Sequence, residues 1–424
     1  MSRRFDSLPI RFKDGMVIVF FVLLQMPVHV LLETLYGLQP GFNAAVIPYD
    51  VRIYCEAASA VFSGQWPYHG FSLPYPPGSL LFFIPPGLLA GDCAAYLVHF
   101  KIELLVLSMV GVVATASIAR RLGQPLARTL LLYSCALPVL GSIVPQRYDL
   151  APAILVLLAG AAWLRGWRTV AWALLALGTL TKVYPALLLP LFSSLEWRGH
   201  GWRSMLRGWL TFVCLIVGGL LPFLVAAPQE TISVFGAQSG RGLEIESTLA
   251  LLLLAGRQFG LPAAAEYNGY LNTWEVTSPH SEVLQLALLA LQGGLLLLLW
   301  VRFHRSSDTG PADLMRYSAA CLAVALVTSK VFSPQFMIWL FPLPLLVGRQ
   351  RLAAASGLFL VAMLLTHLAN PFLWAPLKQG DSLAVSVLLM RDAVLLLLAV
   401  TLVAHRPALS PETYPPECDG SEKP

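Results

Sequence analysis

Apolar runs of about 20 residues recur along almost the whole chain, and they constrain the fold more than any other feature of the sequence. A helical run of this length crosses the hydrocarbon core of a bilayer. Only 12% of the 424 residues are charged, whereas soluble domains have roughly 25%. The sequence also lacks the short alternating segments that are typical of a membrane β-barrel. It therefore predicts an all-α, polytopic helical membrane protein.

We expect about twelve membrane-spanning helices, with re-entrant or interfacial segments between them. The predicted crossings are 16–36, 94–119, 126–143, 150–164, 170–180, 184–195, 209–227, 283–301, 315–328, 336–347, 352–369 and 383–404. Two further apolar pieces, 79–89 and 249–255, are too short to cross. The domain prediction is one membrane domain over 1–405, with a first outer loop (37–78), a long outer loop (228–281) and a polar, Pro-rich tail (406–424) predicted to be cytoplasmic and disordered.

The distribution of basic residues predicts the orientation of the chain. Most of the 28 Lys and Arg residues fall in loops on the side of the basic N-terminus (Arg3, Arg4, Arg11 and Lys13), which the positive-inside rule places in the cytoplasm. Both termini are then cytoplasmic, and the net charge of +5 reflects topology rather than a nucleic-acid partner. The exceptions on the outer side are Arg52, Lys101, Arg147, Lys182, Arg241, Arg257, Lys330, Lys378 and Arg391. Cations held there indicate anionic partners.

The six cysteines are scattered through the chain and show no metal-binding spacing. Most of them lie in apolar runs, which is typical of small core residues. Cys55 and Cys93 are the pair that can meet outside the membrane.

The first outer loop contains the segment 49–77, YDVRIYCEAASAVFSGQWPYHGFSLPYPP. This segment is the longest interval near the N-terminus that is not simply apolar. Asp50 has two interpretations here. It caps the amphipathic helix that begins near Val51, or it is a general base at a cavity on the membrane surface. Both interpretations agree with the sequence.

Four further segments place charged residues between apolar runs. Arg147 and Asp149 lie in the turn PQRYD, where they either close the turn by pairing with each other or serve as a phosphate-binding cation and the carboxylate that orients it. Lys182 in TKVYP is either a snorkelling lysine or a ligand. The segment GRGLEIES, with Arg241, Glu244 and Glu246, is either a plain polar loop or a binding loop. Lys330, Ser333 and Gln335 in SKVFSPQF have the same two interpretations as Lys182.

These segments, taken in order, are similar to a known family. The pattern from Asp50 to Tyr54, followed by AA, GQWPY and the Tyr75-Pro-Pro run, resembles the first-loop signature of GT-C membrane glycosyltransferases, specifically glycosyltransferase family 87. QRYDLAPA, KVYPALLLP, RGLEIES and KVFSPQF resemble its further blocks. The resemblance covers roughly residues 16–405. Gln335 is a departure, since better-studied relatives can have a His near this junction.

The resemblance implies an enzyme that transfers a sugar, mannose or another hexose or pentose, from a polyprenyl-phosphate carrier. The acceptor would be a glycolipid or polysaccharide on the extracytoplasmic face of a bacterial plasma membrane. The family's catalytic carboxylate corresponds to Asp50, which would act as general base in a single inverting displacement. The candidate phosphate ligands are Arg147, Lys182, Arg241 and Lys330, and the candidate supporting residues are Tyr54, Glu56, Tyr75, Asp149, Glu244, Glu246 and Gln335.

We expect no cofactor and no metal, because the lipid-linked sugar is itself the substrate. The expected partners are this donor, the acceptor and membrane lipids. The competing function is that of a polytopic transporter or lipid flippase, which would have similar spans and buried cations. Transporters often have internal repeats with paired broken helices, and no repeat of the Asp50 loop is evident in the second half of the chain.

Overall fold

The computed structural model describes residues 12–39, 43, 46–269, 271–306, 310–349 and 351–404. Most of these residues are helical, so the predicted fold class is confirmed. The predicted cytoplasmic residues Arg3, Arg4 and Arg11 lie outside the described residues, as does the tail 406–424.

The chain forms seventeen α-helices within the described ranges. They are α1 (Phe12–Gly37), α2 (Tyr49–Phe62), α3 (Leu80–Gly87), α4 (Cys93–Arg121), α5 (Leu126–Leu140), α6 (Leu150–Leu164), α7 (Arg168–Thr181), α8 (Leu189–His200), α9 (Trp202–Ala226), α10 (Pro228–Gly240), α11 (Thr248–Gly256), α12 (Ser281–Arg305), α13 (Pro311–Val327), α14 (Met337–Leu340), α15 (Leu352–His367), α16 (Trp374–Lys378) and α17 (Ser382–Val403).

Seven helices in these ranges are long and apolar enough to cross a membrane. They are α1, α4, α9, α12 and α17, together with α5 and α15 when the helical turns that extend them are included. Helices α6, α7 and α11 are apolar but shorter. The polytopic character is thus confirmed, while the number of twelve crossings stays a prediction.

Helix α6 is the central helix of the bundle. Its sequence, LAPAILVLLAGAAWL, is apolar on all sides, and nearly every side chain is buried. A helix of this kind belongs in a core because it has no polar face to turn outward. It packs against α4 and α7. Since α6 directly follows Tyr148 and Asp149, it fixes these two residues at one end of the bundle.

Helices α9 and α12 have the opposite character, because most of their apolar side chains are exposed. In a protein of this class, such surfaces face lipid. Helix α9 begins at Trp202, earlier than the predicted start of that crossing at residue 209.

The predicted crossing 336–347 is wrong as a continuous helix. This segment consists of the short helix α14, an extended residue at Phe341 and one 3-10 turn, Leu343–Leu345. Pro342 and Pro344 have no backbone N–H to donate, so a regular helix cannot continue through them. The segment is buried between α5, α13 and α15. Irregular backbone is tolerated at membrane depth when it is enclosed by protein in this way.

The predicted long loop 228–281 has its own structure. It contains α10, α11 and a three-stranded antiparallel sheet with strand order β1-β3-β2, formed by β1 (Leu243–Glu244), β2 (Ala264–Asn268) and β3 (Thr273–Thr277). Its apolar side chains, including Leu243, Leu251 and Val276, form a second small core with α17. This packing holds the GRGLEIES segment at the end of the bundle.

Candidate active site

Several separate segments meet at one end of the bundle and enclose a cavity of about 920 Å³. They are the start of α2, the Pro74–Pro76 run, the turn before α6, the residues after α7, α10 with the Arg241 that follows it, α12, and α13 with the junction after it. The chemically important lining residues are Asp50, Tyr54, Tyr75, Tyr148, Asp149, Lys182, Tyr184, Arg241, Lys330, Ser333, Gln335, Phe336 and Trp339. Residues from all four predicted phosphate-binding segments thus lie at or next to a single cavity.

Asp50 has two partners. Its Oδ2 atom forms an ion pair with Arg147 Nη1, and its Oδ1 atom accepts a hydrogen bond of 3.2 Å from the Tyr75 hydroxyl. The Asp50 side chain remains 21% exposed. Helix α2 begins at Tyr49 after Pro48, and no side chain caps it. The interpretation of Asp50 as a helix cap is therefore wrong, because Asp50 lies inside the first turn and its carboxylate is directed to Arg147 and Tyr75.

An aromatic cluster holds Tyr75 in place. The Tyr75 ring contacts Tyr54, Phe83 and Tyr148 edge-on, with ring centroids 5.1–5.8 Å apart, and Tyr68 donates a hydrogen bond of 2.6 Å to the Tyr75 carbonyl. Burial raises the pKa of Tyr75, so its hydroxyl stays protonated and can donate to Asp50. Packing thus fixes the orientation of the Asp50 carboxylate.

The same region is stabilised by a disulfide. Cys55 in α2 and Cys93 at the start of α4 are bonded, with their Cα atoms 5.7 Å apart. The expectation that these two cysteines can meet is confirmed, and the bond ties the helix of Asp50 to the bundle.

Asp149 and Lys182 form a second ion pair, with Lys182 Nζ 2.5 Å from Asp149 Oδ1. Trp339 Nε1 donates to the same oxygen at 2.7 Å. The Lys182 ammonium also lies over the rings of Tyr148, Phe336 and Trp339 at 5.1–5.3 Å. Burial lowers the pKa of Lys182, and the Asp149 carboxylate opposes this shift. Neither a pairing of Arg147 with Asp149 nor a snorkelling Lys182 agrees with these contacts.

The GRGLEIES segment and the late junction are bonded to each other. Lys330 Nζ donates to the Arg241 carbonyl at 2.6 Å, and the Glu244 N–H donates to the Lys330 carbonyl at 3.0 Å. The Ser333 hydroxyl donates to Glu244 Oε1 at 2.5 Å. Burial raises the pKa of Glu244, and the Ser333 hydrogen bond opposes this shift. These bonds fix Arg241 and Lys330 side by side on the cavity wall.

Glu246 lies behind this wall. It is 3% exposed, and its Oε1 atom has no hydrogen-bond partner among the described residues. Burial, followed by the charge of Glu244, raises the pKa of Glu246 to about 8. The Glu246 carbonyl accepts a hydrogen bond of 2.7 Å from Arg391 in α17. Glu246 thus supports the loop from behind and does not line the cavity.

Glu56 is the predicted supporting residue that the structure places elsewhere. It is exposed on α2 and does not line the cavity. Asp50 and Tyr54 belong to the other face of this helix, so a carboxylate at position 56 is directed away from them.

Sequence reasoning missed Tyr148, Tyr184, Phe336, Trp339 and Arg391 as site residues. The first two are adjacent to recognised charges, and Phe336 belongs to a recognised block. Trp339 carries a weaker signal, which is its position one helical turn after Phe336. Arg391 lies far along the chain, in an otherwise apolar helix, and only its intramembrane charge marks it.

The described residues contain no group of three His, Cys, Asp or Glu side chains placed to hold a metal ion. The expectation that no metal and no cofactor take part stays a prediction.

Comparison with known proteins identifies the family of the chain. A sequence model described as glycosyltransferase family 87 matches residues 73–334. The chain belongs to glycosyltransferase family 87. No curated protein matches the chain. The predicted family is confirmed, and the protein is a membrane glycosyltransferase of the GT-C type rather than the alternative transporter.

The region matched to family 87 contains Tyr75, Arg147, Lys182, Arg241 and Lys330. Asp50 precedes it and Arg391 follows it. The family 87 match therefore does not include these two charged residues. Their roles are argued from their contacts in the structure of this glycosyltransferase.

Proposed function

We propose that the protein transfers a sugar, mannose or another hexose or pentose, from a polyprenyl-phosphate carrier to a glycolipid or polysaccharide acceptor. The reaction takes place on the extracytoplasmic face of a bacterial plasma membrane, and both termini are cytoplasmic. The observation that carries the proposal is one cavity that combines a carboxylate, several cations and an apolar wall.

The apolar wall supports a lipid-linked donor. One side of the cavity is formed by α12 and α13, with Leu286, Leu289, Leu322 and Leu326 among the lining residues. Leu286 and Leu289 are also exposed at the surface of α12, so the cavity reaches a lipid-facing helix. A polyprenyl chain has a binding surface here. The short apolar pieces 79–89 and 249–255 do not line this cavity.

Arg241 is the strongest candidate ligand for the donor phosphate. It lines the cavity, and it has no ion pair with a carboxylate among the described residues. Arg147 and Lys182 are each paired with an aspartate. A phosphate can therefore bind Arg241 without displacing a carboxylate, and charge-assisted bonds of this kind are among the strong hydrogen bonds in proteins. Lys330 lies beside it through the Arg241 carbonyl.

Asp50 is the proposed general base. Its carboxylate is held by Arg147 and Tyr75 at the cavity, where it can accept the proton of the acceptor hydroxyl. In the reaction, the acceptor hydroxyl oxygen bonds to the anomeric carbon while the bond from this carbon to the phosphate oxygen breaks. The leaving phosphate takes the bonding electron pair, and Asp50 takes the hydroxyl proton. One displacement inverts the anomeric centre.

The phosphate leaves without a general acid because it is a good leaving group. Arg241, Lys330 and Arg147 stabilise the negative charge that it gains. Arg147 bridges the two functions, since its guanidinium has several donors and can hold Asp50 while turning another N–H toward the phosphate.

The test uses purified protein in lipid nanodiscs with a panel of polyprenyl-phosphate sugars and a membrane-lipid acceptor extract. Transfer from at least one carrier, with release of polyprenyl phosphate and inversion at the anomeric carbon, supports the proposal. Transfer only from nucleotide sugars, or a retained anomeric configuration, contradicts it.

A further inference from the structure

The Asp149–Lys182 pair has a different environment from the other charges of the cavity. Asp149 Oδ1 accepts hydrogen bonds from Lys182 Nζ and Trp339 Nε1. Asp149 Oδ2 accepts no hydrogen bond from the residues that the structure describes. Lys182 is enclosed by three aromatic rings. The lysine is therefore already neutralised and surrounded, and the carboxylate retains one oxygen that can accept a further hydrogen bond.

An aromatic stack lies beside this pair on the cavity wall. Trp339 stacks on Tyr184 with ring centroids 4.4 Å apart and on Phe336 at 3.9 Å. All three side chains line the cavity. Ring faces and edges of this kind bind the apolar C–H surface of a sugar, while polar groups at the rim orient its hydroxyls.

Tyr184 contributes its ring to this wall. It is 5% exposed, and its hydroxyl is shielded from solvent and has no hydrogen-bond partner among the described residues. The aromatic stack therefore supplies rings to the cavity, and Asp149 supplies the polar group beside them.

We propose that Asp149, Tyr184, Trp339 and Phe336 form the subsite for the sugar of the donor. Asp149 Oδ2 binds a sugar hydroxyl, and the aromatic stack supports the sugar ring. Lys182 holds Asp149 in place and does not bind the phosphate. This inference rests on the proposed function, because it divides the donor between two subsites: the sugar at Asp149 and the aromatic stack, and the phosphate at Arg241.

If the donor binds in two subsites, a substitution in the sugar subsite should change the Kd of one ligand and leave the Kd of another unchanged. The first ligand is bare polyprenyl phosphate. The second is the same carrier with mannose, glucose or arabinose attached. Comparing the Kd values of the two ligands isolates what the sugar adds to binding, without any measurement of transfer.

The main variant is Phe336→Leu, which removes a stacking ring and leaves the Asp149–Lys182 ion pair intact. We expect its Kd for bare polyprenyl phosphate to match that of the wild type, and its Kd for the preferred sugar carrier to rise roughly two- to tenfold. If the ring were only structural, its removal would leave both Kd values unchanged. Phe259→Leu is the matched control, since this ring is exposed outside the cavity.

Asp149→Asn should show the same pattern with a larger rise, roughly tenfold or more, because the lost acceptor is charged. Phe336→Leu keeps the test valid if Asp149→Asn does not fold. Arg241→Gln should instead weaken binding of both ligands by the same factor.

Three outcomes would overturn the subsite. In the first two, Phe336→Leu and Asp149→Asn weaken binding of both ligands equally, which would make this a phosphate site, or they change neither Kd, which would leave the contacts structural. A wild-type protein that binds the bare carrier but gains nothing from any sugar would remove the subsite and retain carrier binding. A wild-type protein that binds no polyprenyl phosphate would overturn the proposed function itself.

Discussion

Arg147 is ion-paired with Asp50, so the proposed base and a cation of the donor site are in direct contact. Arg147 precedes the central helix α6, and Asp50 lies in the first turn of the disulfide-linked helix α2. The two residues are far apart in the sequence, so only folding brings them into contact. The pairing makes the state of the base dependent on Arg147, and a donor phosphate that draws Arg147 toward itself would release the carboxylate for the acceptor.

Asp50→Asn should reduce transfer by about 10²–10⁴-fold, since a positioned base typically contributes that much to a rate. Asparagine retains the size of the side chain and cannot take the proton. Donor Kd and thermal stability should stay close to the wild-type values. Glu56→Gln is the control, because this carboxylate is exposed on the same helix and outside the cavity. A near wild-type rate for Asp50→Asn would direct attention to Asp149 or Glu244 as the base.

Arg241→Gln should weaken donor binding by about 1.5–3 kcal/mol, the usual contribution of a hydrogen bond to a charged group. Lys330→Gln should also weaken donor binding, because it removes a second cation and the bond to the Arg241 carbonyl. Titration calorimetry with the preferred donor measures both. Arg257→Gln, an exposed cation outside the cavity lining, should leave the Kd unchanged. Equal donor affinity in all four proteins would separate these cations from the phosphate.

The predicted topology places the β2–β3 hairpin outside the cell and the start of α9 in the cytoplasm. Glu266 and Arg203 are exposed in these two segments. In a Cys135→Ser/Cys214→Ser/Cys418→Ser background, a membrane-impermeant maleimide should label Glu266→Cys in intact cells and Arg203→Cys only after permeabilisation. The reverse pattern would place the cavity in the cytoplasm and contradict a polyprenyl-phosphate donor on the outer face.

Glu246 should make stability dependent on pH. Its pKa is raised from 4.5 to about 8, so between these values the folded protein holds a proton that the unfolded chain releases. The free energy of unfolding must then fall as pH rises through this window. Glu246→Gln removes the contribution, so thermal unfolding in detergent at pH 5 to 9 should show a flatter profile. Glu266→Gln, an exposed carboxylate, serves as control. An unchanged profile for Glu246→Gln would show that Glu246 does not hold this proton.

Arg391 should position the loop of Arg241. It is fully buried, it bonds to the Glu246 carbonyl and to Asp392 Oδ1, and Asp392 accepts from Thr248. Breaking a buried pair leaves an uncompensated charge, so Arg391→Met alone should cost about 3–5 kcal/mol. The double variant Arg391→Met/Asp392→Leu should recover much of this stability while its donor KM stays raised. Recovery of both stability and KM would give the pair a structural role only.

The sequence by itself determined the class of the fold and the identity of the family. Apolar runs of membrane-spanning length leave few alternatives to a helical bundle, because a backbone in lipid must satisfy its own hydrogen bonds. Charges that interrupt such runs are costly, so Asp50, Arg147, Lys182, Arg241 and Lys330 could be predicted as candidate site residues before any contact was known.

Only the tertiary structure decided which charge meets which. Asp149 is two residues from Arg147 but pairs with Lys182, and Arg147 pairs with Asp50 from another segment. Pairing across a cavity depends on how α2, α6 and α7 pack, and local sequence does not contain that information. The same reason explains why Trp339, Tyr184 and Arg391 were missed. Their contacts arise from neighbours that folding brings to them, and the signals in their own sequence context, such as the charge of Arg391 in an apolar helix, do not identify those neighbours.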